Sequence, residues 1–569
     1  MSLQEKSQQL KELVSTYDAK WLLGDLRFLI HAGKLRANDQ LGSLSSPMRQ
    51  LTYLIGLNIS TEETEYSKHH YDPETWAEIV VLLNEIEIEY EKVIVGTIDK
   101  KDFANWKHIR QVTIPSFFSY FNEGLLNFEE QILNWIIDLF SKYDYILQEE
   151  LDLNTEHFIS FYKNLSKLHQ NNFQSFSSKP ALLRANWEEY IFVESGIDER
   201  IPQFVRDKIP KAFEIQSKFM VERGIKDRFY ASELVSDNLN IEQIEKILSI
   251  FSCGRETRPF LYYSEQNPGN PILTSTILKL DNGMFQSFSE HHLLYQIRNY
   301  LELKLLNSKA SPKYSKSKGD LLENNIVNLF RQYLGDEAEI FNPYYVDGNE
   351  QDVLVLWEDT AFIIEAKAYN LREPLRNPEK AFPRIRDDFN SVIGDGYKQT
   401  SRIEKYFING KPLIIQDSDG KDIKIIDTNN YKNDFSIIVN QNTFGFIQID
   451  LSYLLELNDE DDVYPWATQF DDLEIFILTL IAKKKKPKHL IDFLLFREEL
   501  HGKIISKDEL EICGGFIENK FNVKAIKYQD TLETNISDSD VFDKQYHNGM
   551  GFKNEEYFEE KRKGNLVIW

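Results

Sequence analysis

Cysteine is nearly absent: 569 residues contain two, Cys253 and Cys513. That excludes a disulfide framework and a four-thiolate zinc site. Long apolar runs are missing too. No stretch approaches the length of a membrane span, and the opening Met-Ser-Leu-Gln-Glu-Lys has no signal-peptide core. The sequence therefore predicts a soluble, cytoplasmic chain with no membrane partner. No Gly-x-x-x-x-Gly-Lys-Ser/Thr phosphate loop, Gly-x-Ser-x-Gly elbow or Cys-x-x-Cys pair occurs. Any ATP-driven step would have to come from a partner. Positive charge is in short supply: 66 Lys and Arg against 91 Asp and Glu give a net charge of −25. Such a surface repels phosphate on average, which argues against a nonspecific nucleic-acid coat but not against a local basic face.

What is present is ample core material. A hydrophobic content of 42% with 13% aromatics predicts folded domains, and the length is too great for a single core. Residues 1–230 read as a helical N-terminal domain, with apolar residues at helical spacing around Leu10, Leu13 and Val14 and around Trp21, Leu22, Leu26 and Leu29. Trp76–Glu89, Phe128–Phe140 and His157–Leu168 repeat the pattern. Residues 231–308 read as a mixed α/β connecting domain: a helix over Ile241–Phe251, strands over Phe260–Ser264, Ile272–Leu280 and Met284–Phe288, then a helix over His292–Leu306. The Ser/Lys-rich stretch 307–313 reads as a linker. Residues 309–450 form an α/β block. Residues 451–569 return to helices over Asp471–Ile481 and His489–Leu500, with a polar tail from Asp530. The pairs His69-His70 and His291-His292 lack the i, i+4 spacing of a helical zinc site.

The chemistry concentrates in 348–368. Two apolar runs, Val353–Trp357 and Ala361–Ala368, flank Glu358-Asp359-Thr360 and predict a β-hairpin. Alternation puts Ile363, Glu365 and Lys367 on one face, and a turn centred on Asp359-Thr360 puts Asp352 opposite Lys367 on that face. Two carboxylates can hold Mg²⁺ without filling its coordination sphere, and a lysine beside them can orient water and offset developing charge. A Glu-x-Lys at the frayed end of an edge strand would instead be merely solvated. Two windows beside the hairpin run against the acidic average. Residues 301–319 hold five lysines against one acid, and residues 366–412 hold ten Lys/Arg against six Asp/Glu.

These residues resemble the PD-(D/E)xK nuclease superfamily, with Asp352 as the first acid and Glu365-Ala366-Lys367 as E-x-K; Gln351 stands where proline is usual. The order that follows from the pattern resembles the restriction-endonuclease-like core: a helix opening at Gly319-Asp320, strands over Ala338–Val346 and the hairpin, a helix over Tyr397–Phe407, and a strand over Phe435–Val439 parallel to Ala361–Ala368. Residues 411–427 read as an inserted hairpin. The resemblance implies an extra metal-site acid on the first helix, Glu323, although a capping box between Asp320 and Glu323 accounts for that residue without a metal. It also implies a phosphate or ligand contact for Gln399; a polar residue in a first helical turn is otherwise ordinary. A basic loop over Leu371–Arg386, with Arg372, Arg376, Arg384 and Arg386, and the helix residues Lys398, Arg402 and Lys405 are expected to face a nucleic-acid backbone. The resemblance extends to large bacterial chains with a nuclease-related core behind a helical N-terminus.

The expectation is thus a multidomain α+β or α/β protein, helical at both ends around a restriction-endonuclease-like core. Its expected activity is Mg²⁺-dependent hydrolysis of nucleic acid, with Mn²⁺ as a substitute, DNA favoured over RNA and endonucleolytic cutting favoured. A setting in bacterial restriction or anti-phage defence is implied by the resemblance. Partner proteins or further copies of the chain would dock through the helical regions. The alternative is a catalytically silent nucleic-acid-binding or scaffold protein that keeps the nuclease fold.

Overall fold

The computed structural model describes residues 2–33, 44, 47–63, 73–95, 128–177, 227–263, 269–369, 378–459 and 462–547. The chain is a mixed α+β protein in two compact units, one within 1–90 and 132–305, the other within 91–131 and 306–563. One division falls at Leu305/Leu306, near the anticipated 308, while residues 230 and 450 both lie inside a unit. Among the described residues no helix is long and apolar enough to cross a membrane.

The first unit is mainly helical because its apolar spacing is. Ser2 caps the helix Leu3–Ser15 by accepting from the Glu5 N–H, Glu5 returns the bond, and Leu10 and Val14 turn inward. Helices Ala19–Gly33, Pro47–Ile59, Asp144–Leu151 and Thr155–Ser177 follow. A four-stranded sheet of β1 (Arg228–Tyr230), β2 (Ser252–Cys253), β3 (Ile277–Lys279) and β4 (Met284–Ser287) runs in the order β1-β4-β3-β2. Two anticipated strands differ. Residues 260–263 form none; Phe260 is buried there and Tyr263 stacks on Tyr53 at 4.0 Å between centroids. The stretch 272–280 is split by a helical turn, Pro271–Thr274, which Asn270 caps, so that only Ile277–Lys279 is extended. The unit also buries a charge cluster in which Arg27 meets Asp227 at 3.1 Å and Glu290 at 2.6 Å, while His169 bonds the same Glu290. Removing one partner would strand the others in low dielectric.

The second unit is built on a five-stranded sheet, ordered β13-β12-β9-β8-β5. Its strands are β5 (Glu339–Phe341), β8 (Val353–Trp357), β9 (Thr360–Lys367), β12 (Asn433–Asn440) and β13 (Trp466–Gln469). β8 and β9 are the anticipated hairpin, closed by Glu358-Asp359, and β12 lies parallel to β9 from Asn433↔Thr360 to Asn440↔Lys367. Strand β13 extends the parallel part beyond residue 450. Near-continuous apolar sequence in β8, β9 and β12 follows from cover on both faces. Phe362 meets Phe330 of helix Ser311–Leu334 at 5.5 Å and Phe435 at 6.0 Å. On the other face Leu354, Leu356, Ala361 and Ile363 pack with Ile403 and Phe407 of helix Asp395–Ile408.

Four local expectations are corrected. The first helix of this unit spans Ser311–Leu334, so Asp320 is exposed in its interior and caps nothing, and only residues 307–310 remain as connection. Burial of Tyr314 and Lys318 carries the helix back through the stretch that reads as linker. The single strand anticipated over 338–346 is two, since Asn342-Pro343 separates β5 from β6 (Tyr344–Val346), which belongs to a second sheet. That sheet, β11-β10-β6-β7, joins the inserted hairpin β10 (Leu413–Gln416) and β11 (Asp422–Ile426) to β6 and β7 (Asn349–Gln351). Asp347-Gly348, both at positive φ, turns β6 into β7. The basic loop is helical from Pro378 to Phe389, with Pro383 inside the helix. The tail is not irregular throughout, because β15 (Leu532–Glu533) pairs with β14 (Ile504–Ile505) and Asp540–His547 is a helix.

Candidate active site

Register decides which side chains meet. β8 and β9 pair as Val353↔Ile364 through Trp357↔Thr360, which sets Asp352 beside Glu365 rather than beside Lys367. The sequence-based register is off by two residues. Two is the side-chain period of a strand, so the face is unchanged. Asp352 Oδ2 accepts the Ala366 N–H at 2.7 Å, which pins the first acid to the strand that carries the second. Lys367 Nζ donates to Glu365 Oε1 at 3.0 Å and to Gln399 Oε1 at 2.5 Å. Gln399 reaches down from helix Asp395–Ile408, which packs on that face. Asp352, Glu365, Lys367 and Gln399 therefore form one connected cluster at the carboxyl end of β9.

Glu323 belongs to the cluster's edge. The Asn342 side-chain amide donates to Glu323 Oε2 and to the Asp352 carbonyl, each at 2.9 Å. Because Asp320 lies inside the helix, a capping box no longer accounts for Glu323. Asn342 was not anticipated. Its only sequence signal is an Asn-Pro step between two short strands. Tyr344 was also missed; it is fully buried, and its hydroxyl lies within electrostatic reach of Glu365, Asp352 and Arg402.

The electrostatics follow from burial. Glu365 is 2% exposed; desolvation, then the Asp352 carboxylate, push its pKa up to about 8, against a partial offset from Lys367. Burial raises Asp352 as well, opposed by the Ala366 N–H and by a hydrogen bond with Glu365. Glu323 is lifted to about 7 by burial and then by Asp352. Burial and mutual repulsion thus favour the protonated form of each facing carboxyl, with Lys367 acting against them at Glu365. Among the described residues no three His, Cys, Asp or Glu side chains are gathered to hold a metal ion. The arrangement offers two oxygen donors, one ammonium and one amide.

The basic residues differ in exposure. Arg372 and Arg376 lie outside the described residues. Arg384 and Arg386 sit on helix Pro378–Phe389, half-buried and exposed respectively. Lys398 is exposed and paired with Asp395 at 2.9 Å, and Lys405 is exposed. Arg402, anticipated as exposed, is half-buried with its Nε enclosed, because the following residue, Ile403, drops into the core.

No family model, no curated protein and no solved structure matches this chain.

Proposed function

We propose that this chain is a metal-dependent nuclease that hydrolyses phosphodiester bonds, DNA before RNA, at the centre formed by Asp352, Glu365 and Lys367. The observation that supports this best is the connected cluster of a buried and a half-buried carboxylate, an ammonium and an amide at the end of one strand. The donor set fits a hard divalent cation, Mg²⁺ with Mn²⁺ as substitute. Asp352 and Glu365 would hold it, and Glu323 lies adjacent through Asn342. When bound, the ion supplies Lewis-acid charge and acidifies its water.

The residues of the chain do the remainder. The Ala366 N–H fixes one oxygen of Asp352 and so orients the other. Lys367, steered by Gln399, positions the attacking water and offsets negative charge that grows on the phosphorus oxygens. Burial keeps competing bulk water away from Glu365. The succession of helix, β5, β8, β9, helix and parallel β12 supports the same reading, since it is the order expected of a restriction-endonuclease-like core.

The test is cleavage of plasmid, linear duplex and single-stranded DNA and RNA with Mg²⁺, Mn²⁺ or EDTA. Metal-dependent cutting by the parent and none by Glu365→Ala is the expected result. A parent that cuts nothing, alongside a Glu365→Ala variant that unfolds, would make the carboxylate structural and leave the scaffold alternative standing. A role in restriction or anti-phage defence is the setting we attach to this activity. It predicts that phage plating efficiency drops with the parent and recovers with Glu365→Ala.

A further inference from the structure

Beside Lys367 the sheet buries an acceptor without a donor. Asn440 of β12 is in register with Lys367 of β9, and parallel partners in register carry their side chains on one face. The backbone holds that register at this end, because the Gln441 N–H donates to the Lys367 carbonyl at 3.0 Å. Asn440 is 1% exposed. Its orientation is fixed by Gln448, whose Oε1 accepts the Phe444 N–H at 2.9 Å and Asn440 Nδ2 at 3.1 Å. Only an oxygen can accept from a backbone N–H, so the Asn440 nitrogen faces Gln448 and Oδ1 is turned away from it. That Oδ1 is enclosed and makes no hydrogen bond. Buried acceptors are nearly always satisfied. Lys367 is the complement. Its ammonium has three N–H donors, of which Glu365 Oε1 and Gln399 Oε1 take two.

We infer that Asn440 Oδ1 is a second seat for the Lys367 ammonium: Lys367 bonds Glu365 in this structure, and bonds Asn440 once the Glu365 carboxylate is engaged elsewhere. Reach allows it, since neighbouring strands lie about 4.8 Å apart and the lysine stem is flexible along four carbons. The electrostatics favour it. A Glu365 that turns to a cation lets go of the ammonium, which the new positive charge then repels. Asn440 Oδ1 is already fixed and out of water, so a bond to it relieves a buried group that is otherwise unsatisfied. The move keeps Lys367 on the face of Glu365, held between two amide oxygens, those of Gln399 and Asn440. Asn440 is thus a positioning residue that acts through the lysine, and it eases loading of the centre because the loss of Glu365 is made good inside the fold. The loading rests on the nuclease reading; the change of partner does not.

The change of partner is tested in EDTA, without metal or substrate, by double-mutant cycles on stability. Lys367→Met and Asn440→Leu are combined in two backgrounds, the parent and Glu365→Met, which fills the same space without a carboxylate. In the parent the two substitutions should act on the folding constant nearly independently. In Glu365→Met they should couple by about tenfold, the worth of one hydrogen bond to a charged group. No coupling there overturns the inference and leaves Asn440 a structural amide on Gln448. If Asn440→Leu fails to fold, a crystal structure of Glu365→Met decides with residue 440 untouched. Lys367 Nζ on Asn440 Oδ1 is expected; Nζ on Gln399 alone, or turned to solvent, overturns the inference. Loading is scored separately by Mg²⁺ calorimetry. Asn440→Leu should raise the Kd about tenfold in the parent and leave it unchanged in Lys367→Met, where a merely structural amide would act alike in both. A parent that shows the coupling but binds no Mg²⁺ and never cuts sinks the nuclease reading alone. One that binds Mg²⁺ and cuts without the coupling sinks the second seat alone.

Discussion

The second unit carries two clusters of buried and half-buried carboxyls, one at each end of its parallel strands. At the carboxyl end stand Glu323, Asp352 and Glu365. Toward the start of β12, Glu404, Asp434 and Glu498 line a cleft of about 250 Å³ with Ile408, Val463 and Leu495 on its rim. Burial shifts both clusters alike: Glu498 rises to about 8, Glu404 to about 7 and Asp434 to about 6. A raised carboxyl pKa therefore does not distinguish the two. What differs is the company. Lys367 and Gln399 reach into the first cluster, while Lys432, on the rim of the second, is bonded outward to Asp359 at 2.8 Å. Cation, amide and carboxylates together are what the proposed hydrolysis calls for; carboxylates alone offer only groups that titrate.

The sharpest way to break this comparison is activity. Lys367→Ala and Glu365→Ala should each lower cleavage by ~10²–10³-fold, the cost of losing a preorganised charge at the transition state. Glu404→Gln and Glu498→Gln should stay within about twofold. Equal losses from both sets would erase the distinction.

Metal response comes next. At about 100 times its Kd, Mg²⁺ should stabilise the parent and Glu498→Gln by about 2.7 kcal/mol in thermal melts, and Glu365→Ala far less. Lys367→Ala should keep the metal response while losing activity.

The pH dependence of stability separates the clusters more finely. A carboxyl whose pKa is raised in the folded state contributes stability that is complete below its unfolded value. That contribution is lost as pH climbs through the folded value. In EDTA the melting temperature should therefore fall between pH 5 and 8.5, through the window set by the carboxyls at about 6 to about 8. Glu498→Gln should flatten part of that fall with or without Mg²⁺. Mg²⁺ itself should flatten only the part due to Glu365 and Glu323. A slope unchanged by either would place the titration elsewhere.

The smallest effect is expected at the surface. Lys405→Glu should weaken nucleic-acid binding a few-fold and lower the salt slope by about 1 without unfolding, because Lys405 is exposed. Arg402→Glu should also cost stability, since Arg402 is half-buried with Nε enclosed.

The centre was legible in the sequence because strand alternation is local. Apolar runs flanking a short turn place Glu365 and Lys367 on one face whatever the exact pairing, and Asp352 reaches them under either register. Of the long-range pairing, the parallel match of β12 to β9 was anticipated and the second sheet was not. Nothing near Tyr344 announces that β6 leaves its neighbour β5 to pair with an inserted hairpin seventy residues on. The helix Pro378–Phe389 was hidden by Pro383, a residue that ordinarily ends helices. Asp320 followed by Glu323 imitates a cap, yet packing of Tyr314 and Lys318 outweighs that local cue. β13 is four residues long and is recognised only by the strand beside it. Asn440 reads as the polar end of an apolar strand, and only its burial sets it apart.

The alternation of β9 makes the centre behave like a parity check. Phe362 lies in the aromatic stack with Phe330 and Phe435, and Glu365 and Lys367 lie on the opposite face. Insert one residue between Phe362 and Glu365 and the sum turns odd: both charges swing toward the aromatic side while the stack holds its place. Insert two and parity is restored, but the pair slides about 6.6 Å along the strand, out of reach of Asp352. Drift in the length of this segment therefore has no neutral step. Exchange of residues within it does, at every position that keeps its face.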